Sequence, residues 1–164
     1  MNRFFFPTLR FLCLSAFLLL AHCSNTVLSP SDISSETLLS SPDTLKIDSN
    51  TIVLNTFLFR DFEPGGEQNG RPLKSLIYLT TVDSSNLTLS IEFEKIFIIN
   101  GSEIWSSVFS DKKSSIQKPF EIDAIAENGP KWEPEIYVDV IVNFKIGSKK
   151  YQIKAIDQFI YKEN

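Results

Sequence analysis

Two carboxylates, Glu92 and Glu94, stand two residues apart in a run where Leu87, Leu89, Ile91 and Phe93 alternate with Thr88, Ser90, Glu92 and Glu94. On an extended strand this spacing puts both acids on one face, ~7 Å apart by strand rise. Two carboxyl groups at such a separation can serve as acid and base on a glycosidic bond. The same face is the polar side of a half-buried strand, where solvated acids are ordinary. Other catalytic chemistry is scarce. The one histidine is His22, and the two cysteines are Cys13 and Cys23, all near the N-terminus. The rest of the chain therefore cannot build Ser-His-Asp or Cys-His catalysis, or nearly any zinc or copper site. The glycines of Pro64-Gly65-Gly66 and Asn69-Gly70 do not follow a strand and open a helix, as a phosphate cradle requires. Asp83–Asn86 lacks EF-hand spacing and reads as a plain turn. The expectation is a protein without cofactor or metal and not an enzyme, a carboxylate-only hydrolase at Glu92 and Glu94 being the exception.

What remains is binding chemistry. Glu127–Glu135, ENGPKWEPE, sets Lys131 and Trp132 between Pro130 and Pro134. Each proline fixes its own φ and holds the preceding residue extended, so the loop is braced. A braced tryptophan is a natural anchor for a partner. The alternative is that Trp132 folds back to cap the core. A second loop, Arg60–Leu73, reads RDFEPGGEQNGRPL and carries Arg60, Asp61, Glu63 and Arg71. Arg60 and Asp61, with Asp157, can instead form an ion network at the core's edge. The candidate binding rim is thus Arg60, Asp61, Arg71, Lys131 and Trp132.

These loops need a scaffold, and the chain from Thr51 onward supplies β chemistry. Val, Ile, Phe, Tyr and Thr come in short runs punctuated by Gly, Pro, Asn and Asp. Ile136, Val138, Val140, Val142 and Phe144 alternate with Tyr137, Asp139, Ile141 and Asn143, the period of a half-buried strand. Asn100-Gly101 and Gly147-Ser148 signal tight hairpins. Apolar parity slips near Glu94–Ile96, which predicts a β-bulge. Strands are predicted over 51–60, 74–83, 87–99, 103–109, 119–126, 135–146 and 149–161. Seven such strands predict an all-β fold, an immunoglobulin-like antiparallel β-sandwich, with a small β-barrel as the alternative. If each strand crosses the domain once, the loops at 62–73, 100–102 and 127–134 share one end with the close of the last strand.

The N-terminus gives an address. Arg3 and Arg10 precede an apolar run, Phe11–Ala21, too short to span a ~30 Å bilayer core but suited to a signal peptide. Leu20-Ala21-His22-Cys23 resembles the lipobox of bacterial lipoproteins, with His22 where small residues are usual. The resemblance implies cleavage before Cys23 and a diacylglycerol on its sulfur, anchoring the protein at ~0.8 kcal/mol per buried CH₂. Ser24 leans toward the outer membrane. An ordinary secretory signal ending near a cysteine is the alternative. The expected organisation is a signal peptide at 1–22, a lipidated Cys23 with a Ser-rich tether to residue 50, and a β domain at 51–164. Within the tether a strand near Thr44–Ile47 is the alternative. No cysteine is left for a disulfide, so the domain must rest on its apolar core. Losing residues 1–22 removes two arginines and no acid, taking the formal charge from −4 to −6. That balance argues against nucleic acid or anionic lipid as the main partner. An envelope protein or a glycan is expected instead: the chain reads as a binding or envelope-assembly module, with an accessory carbohydrate-binding domain that stacks Trp132 on a sugar face, or a purely structural envelope protein, as the alternatives. FLFRDFEPGG…GRPL and NGPKWEPEIYVDVIV also resemble segments of small secreted bacterial β-sandwich proteins, a likeness that implies no activity.

Overall fold

The computed structural model describes residues 34–64, 66, 69–110 and 118–164. The signal segment and Cys23 lie outside the described residues. The elements are a short helix α1 (Ser35–Leu39) and strands β1 (Thr44–Ile47), β2 (Asn50–Asp61), β3 (Lys74–Thr81), β4 (Ile91–Asn100), β5 (Glu103–Ser107), β6 (Glu121–Ala126), β7 (Tyr137–Ile146) and β8 (Lys149–Glu163). Each of the seven expected strands is present, with ends shifted by a few residues, and β1 makes an eighth.

The strands form one curled open sheet in the order β5-β4-β7-β8-β2-β3-β6, with β1 paired to β2. All pairs are antiparallel except β2–β8, where Leu58–Asp61 run parallel to Ile160–Glu163. The two halves on either side of this seam share one apolar core, into which β2 and β3 send Ile52, Leu54, Leu58, Ile77 and Leu79. From the other half come Ile96, Ile98, Val140, Val142, Phe144 and Ile153. The all-β class holds, and the architecture is that of the barrel alternative: a single curled open sheet with a parallel β2–β8 seam, a half-barrel, in place of the immunoglobulin-like sandwich of separate antiparallel sheets.

Local signals account for the turns. Gly101 and Gly147 hold φ of 58° in the two-residue connections β4–β5 and β7–β8, a region that costs glycine nothing. The bulge expected near Glu94 is present: the ladder with β7 pairs Phe93 and Lys95 but skips Glu94. A second irregularity lies where Val138 pairs with Gln158 and Val140 with Ala155. There Asp157 takes a φ of 54° and its N–H donates to Asp139 Oδ1 at 3.0 Å. Beyond this kink Gln158 and Phe159 still pair with β7, and Ile160–Glu163 pair with β2.

The tether reading does not hold for residues 34–50; the alternative strand at Thr44–Ile47 is β1, and α1 precedes it. The reason is apolar surface on the outer side of β4 and β7. Phe97, Ile99 and Ile141 stand there, and Leu38, 2% exposed, closes over them. Ile141 sits at a position that alternation assigns to the polar side; α1 makes it a core residue. The segment is clipped down by Lys154 Nζ donating to Leu39 O at 2.6 Å and Lys154 N to Pro42 O at 2.9 Å. Ser34 caps the helix, its Oγ accepting from Thr37 N.

Candidate functional site

The loops that follow β2 and β6 meet at one end of the half-barrel because a single side chain joins them. Arg60 continues the inward parity of Ile52, Leu54 and Leu58, so its side chain enters the domain, and it is 0% exposed. Its Nε donates to Arg71 O at 3.0 Å. Its Nη1 donates to Trp132 O at 2.7 Å and Lys131 O at 3.2 Å, and its Nη2 to Asn69 O. A rigid guanidinium carries five N–H donors in a fixed fork, and here four donations end on main-chain carbonyls of two different loops. The ring of Phe62 lies 4.9 Å from Arg60 Cζ and 5.2 Å from Lys162 Nζ. Gly70 packs beneath that ring; a Cβ there would stand 2.7 Å from Phe62 Cε1.

The stretch ENGPKWEPE is held along its length. Gly129 N donates to Leu73 O at 2.9 Å, and a Cβ on Gly129 would stand 2.8 Å from Leu73 Cβ. Glu135 N donates to Ile160 O at 2.7 Å. Trp132 is half-buried and packs on the main core, while its indole N–H donates to Glu103 Oε2 at 2.5 Å beside the β4–β5 turn. Trp132 is therefore a cap that also ties a third loop to the rim. Lys131 is exposed on the same loop.

Beside this clamp lies an open cleft of about 370 Å³ lined by Phe59, Asp61, Arg71, Pro72, Lys74, Glu127 and Asn128. Arg71 bridges Asp61 at 3.5 Å and Glu63 at 3.2 Å, and Lys74 pairs with Glu127 at 3.4 Å. The expected rim residues thus divide. Asp61 and Arg71 line the cleft, Lys131 stands on the neighbouring loop, Trp132 caps the core, and Arg60 lies beneath them all. Arg60 is corrected from a contact residue to the clamp: a side chain with no exposed surface cannot touch a partner. The ion network expected of Arg60, Asp61 and Asp157 does not form as such. Arg60 bonds to carbonyls, Asp61 to Arg71, and Asp157 sits at the β8 kink. Glu127 and Asn128 open the braced loop, while Phe59 and Lys74 join the cleft from β2 and β3 without being among the expected rim residues. For Phe59 the available signal is the outward parity of β2, which sets Phe57, Phe59 and Asp61 on the side opposite Leu58 and Arg60.

Glu92 and Glu94 lie elsewhere, on β4. Glu92 Oε2 is 2.8 Å from Lys145 Nζ, and Glu94 Oε1 is 4.0 Å from Lys150 Nζ. The hydrogen bond to Glu92, and then its charge, hold the Lys145 ammonium above the usual lysine pKa. The bulge takes Glu94 out of simple alternation with Glu92, and each acid has a lysine beside it, as on a solvated strand face. Among the described residues no three His, Cys, Asp or Glu side chains come together as metal ligands.

Fold and site together define a class: an all-β half-barrel with a clamped loop rim and an open polar cleft at one end. No family model, no curated protein and no solved structure matches the chain.

Proposed function

We propose that this chain is a non-enzymatic binding module of a bacterial cell envelope. It is exported by its N-terminal signal and anchored through lipidated Cys23, in the outer membrane, and it captures a partner at its rim. The observation that carries the binding reading is the Arg60 clamp. Ordering loop backbone costs conformational entropy, and holding Asn69, Arg71, Lys131 and Trp132 in place before a partner arrives lowers the cost of association. The cleft beside the clamp offers guanidinium, ammonium, carboxylate and amide groups to a ligand. The address is supported by the basic-apolar-cysteine order of residues 1–23 and by the lack of other thiols.

The test is photo-crosslinking of the full chain in living cells of the producing organism. The photoreactive residue is placed at Lys131, with a control at Val82, which is exposed at the far end of β3. A discrete adduct from position 131 and none from position 82 is the expected result. Equal capture from both positions, or none, overturns the rim as a binding site and leaves a purely structural envelope protein as the reading.

A further inference from the structure

The outer side of the parallel seam carries a continuous set of aromatic rings. Phe57 and Phe59 come from β2, Phe159 and Tyr161 from β8, and Tyr137 from β7. Ring centroids follow one another at 5.3 Å from Phe59 to Phe57, 5.1 Å to Tyr161, 5.0 Å to Phe159 and 5.2 Å to Tyr137. Tyr137 is 65% exposed and Tyr161 45%. Leu38 of α1 covers Phe97, Ile99 and Ile141 elsewhere on the outer surface, whereas among these rings Phe57, Phe59 and Phe159 are half-buried and Tyr137 and Tyr161 exposed. Two clefts flank Phe59: the one beside the Arg60 clamp, and another of about 470 Å³ lined by Phe57, Phe59, Asp61, Glu63, Glu163 and Asn164. Phe59 and Asp61 belong to both.

We infer that this face binds a glycan. Sugar rings stack their C–H sides on Phe59, Tyr161 and Tyr137, and their hydroxyls donate to Asp61, Glu163 and Asn128. The inference rests on the binding-module reading and names its ligand class. The electron-rich faces of aromatic rings attract the weakly positive C–H side of a pyranose. Carboxylates accept hydroxyl hydrogens in charge-assisted bonds, which orient a ligand that stacking alone would let slide. A protein partner fits less well, because the centre of a protein interface is depleted in Asp, Glu and Lys, whereas here Asp61, Lys74 and Glu127 line the cleft beside Phe59. An anionic membrane or a phosphate group fits less well again, since Asp61, Glu63 and Glu163 share the second cleft.

The test is retention of the full chain on insoluble chitin, cellulose and purified peptidoglycan, with chitohexaose and cellohexaose as soluble competitors. Retention on at least one probe is expected. Tyr161→Ala and Tyr137→Ala should each weaken it about tenfold, the loss of roughly one aromatic stacking contact, with Val82→Ala as a neutral control. Tyr161→Phe should keep binding and Tyr161→Leu should lose it, which separates a stacking ring from apolar bulk even if an alanine variant melts early. Retention indifferent to both tyrosines overturns the face. No retention on any probe overturns the ligand class; if position 131 still captures a protein, the binding module stands, and if it does not, both readings fall. A crosslink from position 161 to a second copy of the chain would likewise overturn the inference.

Discussion

Arg60 occupies a strand position where parity calls for a leucine or isoleucine, and that mismatch is why it organises the rim. A buried charge is costly unless its hydrogen-bonding capacity is met. Here main-chain carbonyls of two loops meet it, so neither the guanidinium nor those carbonyls go unpaired. Arg60→Met should therefore deprive four main-chain carbonyls of their donor and release both loops, destabilising the protein by about 3 kcal/mol. Arg60→Lys should recover less than half of that, because a single ammonium cannot span both loops. Urea unfolding at constant m-value measures both, and a loss below about 1 kcal/mol for the methionine variant would remove the clamp argument. The residue scale was half legible. A charged residue in line with Ile52, Leu54 and Leu58 announces a buried arginine, but its acceptors lie up to 72 positions away in sequence. Trp132 was legible as a cap or an anchor, and only contact with the core and Glu103 distinguishes them.

At the scale of elements, hairpins and bulges follow from local chemistry, while the fate of residues 34–50 does not. Its serines and its proline read as a tether because nothing in the segment itself holds it down. What holds it is the outer surface of β4 and β7, where Phe97, Ile99 and Ile141 would otherwise meet water. Leu38→Ala should cost about 2–4 kcal/mol, as a buried leucine does, whereas on a flexible tether it would cost nothing. Thermal unfolding of the full chain distinguishes the two outcomes. The odd parity of Ile141 was the available hint that a polar-looking strand face has a cover.

The whole molecule depends on its last strand. β8 closes the core with Ile153 and Ile160, seams β2 in parallel, and accepts the Glu135 and Phe62 amides at its carbonyls. Removing residues 158–164 takes away the seam, Ile160 of the core, and the carbonyls that hold the Glu135 and Phe62 amides. The truncated chain should lose its cooperative urea transition and its near-UV circular dichroism; a folded truncation would show that the two halves stand without the seam. Pairing of Leu58–Asp61 with Ile160–Glu163 joins segments about one hundred residues apart, so forming the seam carries the entropy cost of closing a long loop.

The sequence by itself determined the all-β class, the strand positions, the two glycine hairpins and the bulge at Glu94. Each follows from side-chain alternation or from φ preferences within a few residues. It also determined which chemistries the chain cannot carry beyond residue 23, since those depend on residue types alone. Only the tertiary structure decided that β8 changes partner, that α1 covers Ile141, that Arg60 is a clamp, and that five rings from three strands touch. Those are matters of which distant surfaces meet, and hydrophobic burial, being non-directional, leaves no mark of its partner in the local sequence.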